Sequence, residues 1–368
     1  MRVFTVSGLR VDAGQSLPEQ LPEAGYVWIA CSRSAFEAEL PRIQAKLEQL
    51  TDHTLVDLHV SDLLNAQLPS HFDYSSHYDL MVFRRLAQGE GRVTLLPAQG
   101  KRPGPPVLQR IDTNPVGFAV FDRVLLSIHP SDCAVREAYA ARLLAAANPI
   151  AGEPDARSTG ARGVPATPAD MMLRIMSQMV DGYLALRREL SRQLDHWQTE
   201  LLSPRTRFSR WDALLQTRMA LHQLEALCDD QRTAVQAWTE SLNSWGPSGQ
   251  LSDQALELLK IRSRDVLEHV ERVVQHVRRL EHNTETAVQM HFHVLSNRTN
   301  DIMRTLTALT AIFLPLNLIA GIFGMNFEFI PWLHQTTGFW WTLGGMVLIA
   351  LGLGLVFWRK RYLAASGS

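Results

Sequence analysis

Cysteine is scarce and neither sign of charge is in excess, so several classes of protein are excluded at once. The chain of 368 residues has 3 cysteines, Cys31, Cys133 and Cys228, which stand far apart in the sequence. This spacing fits neither a disulfide framework nor a thiolate zinc site, and we expect reduced, buried thiols. Lys and Arg number 36 against 37 Asp and Glu, whereas a dedicated nucleic-acid binder normally has a basic excess.

Motifs of catalysis are missing as well. The sequence has no P-loop, no Gly-x-Ser-x-Gly and no His-Glu-x-x-His segment. We therefore predict that the chain is not an enzyme, that it needs no organic cofactor and that it does not pump ions with ATP.

Charge is absent from two long apolar runs near the C-terminus. Residues 305–327 contain no charged side chain, and a second run covers residues 339–358. Each run has the ~20 residues that cross the hydrocarbon core of a bilayer. Arg298 and Arg304 precede the first run, so the positive-inside rule predicts cytosolic flanks and two cytosolic termini. The second run is followed by a basic tail, Arg359, Lys360 and Arg361.

The remainder of the chain divides by composition. Residues 1–147 mix β-branched runs with helical patterns and predict a cytosolic α/β domain, and residues 148–170 are rich in Pro, Gly and Ala, as in a linker. We predict a helix over 34–50 and strands over 2–6, 26–31, 79–84, 93–96 and 117–128.

Helical patterns dominate residues 171–304, with helices predicted over 171–202, 208–245 and 251–324. The last would be about 110 Å long and would need partners in a bundle. This helix is predicted to form a stalk that continues directly into the first apolar segment, residues 305–327. The predicted parts are therefore a helical and stalk region (171–304), a first transmembrane pore helix (305–326), an external loop (327–338), a second transmembrane helix (339–358) and a cytosolic basic tail (359–368).

Two membrane helices are too few to enclose an ion pathway, so a channel requires a symmetric oligomer. On a helical wheel, one stripe of the first span covers an arc of roughly 120° and includes an amide that is costly in lipid. The stripe predicts a pore lining, although small residues can also serve as packing surfaces in a non-conducting bundle. Its members are Asn300, Met303, Leu306, Thr307, Thr310, Leu314, Asn317, Gly321, Gly324 and Met325.

Gly324-Met325-Asn326 ends the first span, residues 296–303 precede it with the sequence SNRTNDIM, and RKRYL follows the second span. This combination resembles the CorA family of divalent-cation channels. The resemblance implies an α+β membrane protein that forms a funnel-shaped homopentamer in the bilayer of the bacterial inner (plasma) membrane. It further implies a selectivity filter at Gly324, Met325 and Asn326, an apolar gate at Met303 and Leu306, and a polar ring at Asn300.

The same resemblance implies regulation by the transported ion. Asp265 in residues 264–269 and Asp62 in residues 61–65 would hold a regulatory Mg²⁺ across a subunit boundary and close the channel when cytosolic Mg²⁺ is plentiful. The alternative is that Asp62 caps a helix and Asp265 lies on a solvated face. Glu328 is the one carboxylate of the outer loop that could concentrate cations.

The implied function is passive uptake of Mg²⁺, with Co²⁺ and Ni²⁺ as further candidates. Two alternatives stay open: a Zn²⁺ transporter of the same superfamily, and a membrane-anchored cytosolic sensor or scaffold. The histidine pairs His269 with His276 and His291 with His293 are badly spaced for chelation within one helix, so we predict solvated stalk histidines.

Overall fold

The computed structural model describes residues 1–87, 93–96, 107–131, 134–147, 163–202, 211–245, 252–325 and 338–359. The strands are β1 (Arg2–Ser7), β2 (Arg10–Gly14), β3 (Tyr26–Ser32), β4 (His71–Tyr74), β5 (Asp79–Leu86), β6 (Val93–Leu96), β7 (Val107–Ile111), β8 (Thr113–Val120) and β9 (Val124–His129). The helices are α1 (Arg33–Ala38), α2 (Leu40–Thr51), α3 (Asp57–Leu64), α4 (Ala134–Ala147), α5 (Pro168–Leu202), α6 (Trp211–Ser244), α7 (Asp253–Phe323) and α8 (Gly338–Arg359).

The chain separates into two compact units. The first comprises Met1–Glu200 with Arg207–Thr284, and the second comprises Leu201–Thr206 with Glu285–Ser368. Helix α7 contributes its N-terminal part to the first unit and its C-terminal part to the second. The domain limits expected from composition remain predictions.

A seven-stranded mixed sheet forms the centre of the first unit, in the order β2-β1-β3-β9-β8-β5-β4. β3 and β9 pair in parallel, from Val27 with Val124 to Ser32 with His129, and the other pairs in this sheet are antiparallel. Nearly every residue of these two central strands is buried, because helices cover both faces of the sheet. β6 and β7 form a separate antiparallel pair.

Two hydrophobic cores lie on opposite faces of this sheet. One contains Phe36, Ile43 and Leu63 of helices α1 to α3. The other contains residues of α4, α5, α6 and the start of α7. Successive side chains of β5 point to opposite faces of the sheet, so Leu80 belongs to the first core and Met81 to the second.

The described cysteines are reduced and buried, as predicted. Cys31 and Cys228 are free and buried, and burial raises their pKa to about 11 and about 12. Cys133 lies outside the described residues, as do residues 148–162 of the predicted linker.

Two predicted elements are each divided in the structure. The strand expected over 117–128 is the pair β8 and β9, because the backbone turns at residues 121–123 and the amide of Phe121 donates to the carbonyl of Val124 at 2.9 Å. The helix expected over 34–50 is α1 followed by α2. Glu39, at φ −106° and ψ 14°, separates them, and α2 restarts with a proline in its first turn.

Helix α7 is one continuous helix of 71 residues, about 107 Å long at the usual rise. Ser252 precedes it, and its Oγ accepts a hydrogen bond from the amide of Ala255 at 3.2 Å. Apolar residues at helical spacing in its N-terminal part are buried: Val266, Val270, Val273, Val274, Val277 and Leu280. The long-helix prediction is thus confirmed.

In the second unit, the C-terminal part of α7 and residues Gly338–Phe357 of α8 are long and apolar enough to cross a membrane. Only 6% and 0% of their most apolar windows are buried within the chain. So much exposed apolar surface requires lipid, or other copies of the chain, to cover it.

Candidate ion pathway and regulatory carboxylates

Every residue of the stripe predicted to line a pore is exposed in the structure. Leu314, at 69% exposure, is the most open of its large apolar side chains. The exposed members are Asn300, Met303, Leu306, Thr307, Thr310, Leu314, Asn317, Gly321, Gly324 and Met325.

The opposite side of the same helix is partly covered. Ala308 is fully buried, at 0% exposure. The half-buried positions follow on the same side, at helical spacing: Ala311, Ile312, Pro315, Leu316, Ile319 and Phe323. From residue 308 to residue 323 the chain therefore partly covers one side of the helix and leaves the predicted stripe exposed, whereas residues 292–307 are exposed on every side.

Hydroxyl groups on the stripe bond to their own helix. Thr307 Oγ1 donates to the carbonyl of Met303 at 2.8 Å, and Thr310 Oγ1 donates to the carbonyl of Leu306 at 2.8 Å. Each hydroxyl proton is thereby used, and the oxygen lone pairs remain as acceptors. Such oxygens can accept hydrogen bonds from the water shell of a cation.

The end of α7 is closed by a turn at Gly324. Its amide donates to the carbonyl of Ala320 at 2.9 Å, and the amide of Met325 donates to the carbonyl of Ile322 at 3.3 Å. A Cβ at residue 324 would lie 3.1 Å from the Ala320 carbonyl oxygen, a tight contact that would require a small local shift. Arg359 ends α8. Asn326, Glu328, Lys360 and Arg361 lie outside the described residues.

The two predicted regulatory carboxylates both belong to the first unit. Asp62 is half-buried on α3, and its Oδ2 lies 3.8 Å from Nε2 of His71 on β4. Asp62 does not cap the helix, because α3 begins at Asp57. Asp265 is 59% exposed on α7, where Oδ1 lies 3.8 Å from Nε2 of His269 one turn later. Their predicted pairing across a subunit boundary stays a prediction.

A group of three possible metal ligands joins α6 to α7, and sequence reasoning did not find it. The ligand atoms of His222, Glu225 and Glu281 all lie within 4.8 Å of one another, the one such group in the described part of the chain. His222 Nε2 is 2.8 Å from Glu281 Oε1, and Arg278 Nε donates to Glu225 Oε1 at 2.5 Å. Both carboxylates therefore already have close partners within the chain, Glu281 in His222 and Glu225 in Arg278.

Two of the stalk histidines differ from the prediction. His291 is buried, and its Nδ1 lies 2.7 Å from the carbonyl oxygen of Leu201. His276 is half-buried, with Nε2 2.7 Å from Ser191 Oγ. Burial lowers the pKa of His276, and the charges of Arg187 and Arg279 act in the same direction. The prediction of solvated histidines was wrong here, because both rings pack against α5.

Comparison with known proteins identifies related chains. The family described as CorA-like Mg²⁺ transporter protein matches residues 23–361. The cobalt/magnesium transport protein CorA of Thermotoga maritima is 28% identical over 200 residues, which cover 53% of each chain. The match thus spans about half the length of that curated relative.

Solved structures share the fold. The complete structure of the CorA magnesium transporter from Methanocaldococcus jannaschii superposes with a TM-score of 0.64 at 16% identity and covers 98% of each chain. The cytoplasmic domain of ZntB from Vibrio parahaemolyticus gives a TM-score of 0.51 at 13% identity, covering 82% of this chain and 98% of that domain. At such identities the likeness is one of fold.

Proposed function

Since the chain belongs to the CorA-like Mg²⁺ transporter family, we propose that it conducts divalent cations, Mg²⁺ foremost, through a pore lined by α7. The observation that carries the proposal is the division of the α7 surface. One side is partly covered by the chain, and the opposite side presents an exposed stripe with hydroxyl and amide oxygens. Such groups at membrane depth normally face a bundle interior or water.

The chemistry of the stripe suits a strongly hydrated ion. Mg²⁺ loses its waters reluctantly, so neutral oxygens that accept hydrogen bonds from those waters allow passage without trapping the ion. Thr310, Asn317 and the polar ring at Asn300 supply such oxygens. The filter of Gly324, Met325 and Asn326 would meet the ion at the outer mouth, where Glu328 attracts cations. Between these polar levels, Met303 and Leu306 form an apolar gate that blocks ions by dewetting.

A pore of this kind requires several copies of the chain. We propose a funnel-shaped homopentamer in the bacterial inner membrane, with both termini and the basic tail of Arg359, Lys360 and Arg361 in the cytosol. The membrane potential alone would supply about 4.6 kcal/mol per 100 mV to a divalent ion. Passive entry then needs no coupled reaction, and the chain acts as a transporter and not as an enzyme.

Closure by cytosolic Mg²⁺ is the proposed regulation. The partial exposure of Asp62 and the greater exposure of Asp265 leave both carboxylates accessible to a neighbouring copy. A Mg²⁺ between them would hold two negative charges together, and its loss would let them repel.

The test is ion flux into liposomes that contain the purified full-length protein, with Mg²⁺, Co²⁺ or Zn²⁺ outside and an imposed potential. We expect Mg²⁺ entry that increases with the potential. Entry of Zn²⁺ without Mg²⁺ would instead indicate a zinc transporter. Absence of flux for all three ions, from protein that remains oligomeric, would favour the membrane-anchored sensor.

A further inference from the structure

A large cavity in the first unit takes no part in the proposed ion pathway. Its volume is about 1210 Å³, and it lies between one end of the sheet, the start of α5, the end of α6 and the start of α7. We call it the acidic cavity because six carboxylate residues line it: Asp52, Asp73, Asp79, Asp122, Glu240 and Asp253.

Strand geometry directs Asp79 into this cavity. It is the first residue of β5 and pairs in register with Tyr74 on β4 and with Val120 on β8, and both partners line the cavity. Successive side chains of a strand point to opposite faces, so Asp79 shares the face of Met81, which is buried in the core beneath α5 and α6. The cavity extends from this face around the end of the sheet to the end of α2, where Leu50 and Thr51 line it.

Asp79 is buried without a partner. Its exposure is 8%, and its carboxylate makes no hydrogen bond or ion pair with any residue that the structure describes. Burial, and secondly the charge of Asp122, raise the pKa of Asp79 to about 7. Buried carboxylates are normally paired, since an isolated one is costly. A cation supplied from outside the chain would remove this cost.

The lining residues supply little positive charge, and of the six carboxylates Asp73 already has a close neighbour, since its Oδ2 lies 3.2 Å from Nε2 of the buried His59. Among the described lining residues, Arg123 is the one Lys or Arg side chain. Its guanidinium is already engaged, since Nε donates to the carbonyl of Gly25 at 3.0 Å and another nitrogen contacts the carbonyl of Pro22. The rings of His53 and His77 stack on each other in the wall, with centroids 3.6 Å apart.

Aromatic side chains complete the walls. Phe72 and Trp245 both line the cavity, and both pack edge-on against the buried Trp238, at centroid distances of 5.8 and 5.6 Å. The exposed ring of Tyr74 lies beside them. Aromatic faces next to carboxylates attract organic cations, which gain from both groups and bury their apolar carbons.

The spacing of the carboxylates favours an extended cation over a bare metal ion. In the described residues, three ligand atoms come within 4.8 Å of one another only at His222, Glu225 and Glu281, outside this cavity. We propose that the acidic cavity binds an organic polyamine, with its ammonium groups on Asp79 and the rim carboxylates and its carbon chain on the aromatic walls. This inference does not depend on the proposed ion conduction.

Calorimetric titration of the full-length protein in detergent with spermidine tests the proposal. We expect saturable binding that weakens by about tenfold or more in Asp79→Asn, because a charge-assisted contact is lost. Asp12→Asn, an exposed carboxylate of β2 outside the cavity, is the matched control and should bind as the wild type does.

Proton release distinguishes a direct contact from an indirect effect. A cation beside Asp79 favours its charged form, so titrations at pH 7 in buffers of different ionisation enthalpy should show proton release on binding. The other charged and titratable groups that face the cavity are the same in wild type and variant: Asp52, His53, Asp73, His77, Tyr78, Asp122, Arg123, Glu240 and Asp253. The proton release that is lost in Asp79→Asn is the contribution of Asp79.

Two results would overturn the proposal. One is unchanged spermidine affinity in Asp79→Asn. The other is binding of Mg²⁺ alone with the same dependence on Asp79 and full displacement of spermidine, which would make this an inorganic site. If Asp79→Asn fails to fold, Asp122→Asn replaces it, because Asp122 is exposed in a turn and should also weaken spermidine binding. Wild-type affinity in that variant counts against the proposal equally.

Discussion

The indole Nε1 of Trp238 on α6 donates a 3.0 Å hydrogen bond to Oγ of Ser263 on α7, and both residues are fully buried. The bond joins a helix of the first unit to the stalk helix inside an otherwise apolar core. A polar pair of this kind favours one alignment of two helices, because any shift leaves both groups buried without a partner.

Replacement of Trp238 by Phe should destabilise the protein by about 1–3 kcal/mol, since it leaves the Ser263 hydroxyl unpaired and opens a small cavity. Thermal unfolding of the purified protein measures the loss. The double variant with Ser263→Ala should lose less than the sum of the two single variants. Strict additivity of the two losses would show that the hydrogen bond contributes nothing.

Substitution of Asn326 by Ala should reduce Mg²⁺ flux into liposomes to the level of empty vesicles. The proposed filter would lose its amide oxygens, whereas the oligomer should stay intact in size-exclusion chromatography. Thr342→Ala is the control, because its hydroxyl bonds within α8 to the carbonyl of Gly338. Normal uptake by the Asn326 variant would remove this residue from the filter.

Substitution of Asp265 by Lys should raise the Mg²⁺ concentration needed for protection from proteolysis by about tenfold. A positive charge replaces one of the two proposed ligands of the regulatory ion. Glu268→Lys is the matched control, because Glu268 is similarly exposed one turn away and pairs with Arg272 at 3.8 Å. If both variants keep wild-type protection, Asp265 has no part in sensing.

Replacement of Met303 by Ser should increase Mg²⁺ leak under closing conditions, since a polar side chain keeps a narrow constriction wet. Flux into liposomes at saturating internal Mg²⁺ measures the leak. Ile302→Ser serves for comparison, because Ile302 is also exposed but lies beside the stripe. Equal leak in the two variants would contradict the gate.

The stability of the first unit should fall as the pH falls below about 6.5, partly through His129. Burial, with the charges of Arg136 and Arg85, lowers the pKa of His129 to about 3, so the folded state keeps the ring neutral while the unfolded chain takes up a proton. The stabilisation is complete above pH 6.5 and declines by at most about 1.4 kcal/mol per pH unit below it.

Melting temperatures at pH 7.5 and 5.5 test this, and the difference between wild type and His129→Gln isolates the contribution of the imidazole. We expect the variant to lose less stability on acidification than the wild type does. An identical pH dependence in the two proteins would exclude His129 as its source.

Much of the membrane part follows from the sequence alone. The length of each apolar run and the 3.6-residue period are local properties, and they predicted the two apolar helices, the exposed stripe and the continuous helix α7. The motif at residues 324–326 led to the family, whereas its role as a filter remains a proposal. In the sheet, short runs of β-branched or aromatic residues located β1, β3 and β5.

Tertiary packing decided the rest. No local pattern revealed α3 or β4. Each is short, and its apolar residues can be recognised as core residues only from their packing in the folded structure. The burial of His291, the contact of His222 with Glu281 and the unpaired Asp79 each depend on residues far apart in sequence. The length and the periodicity of apolar runs are properties of the local sequence. The environment of a polar side chain, in contrast, forms only when distant elements pack against it.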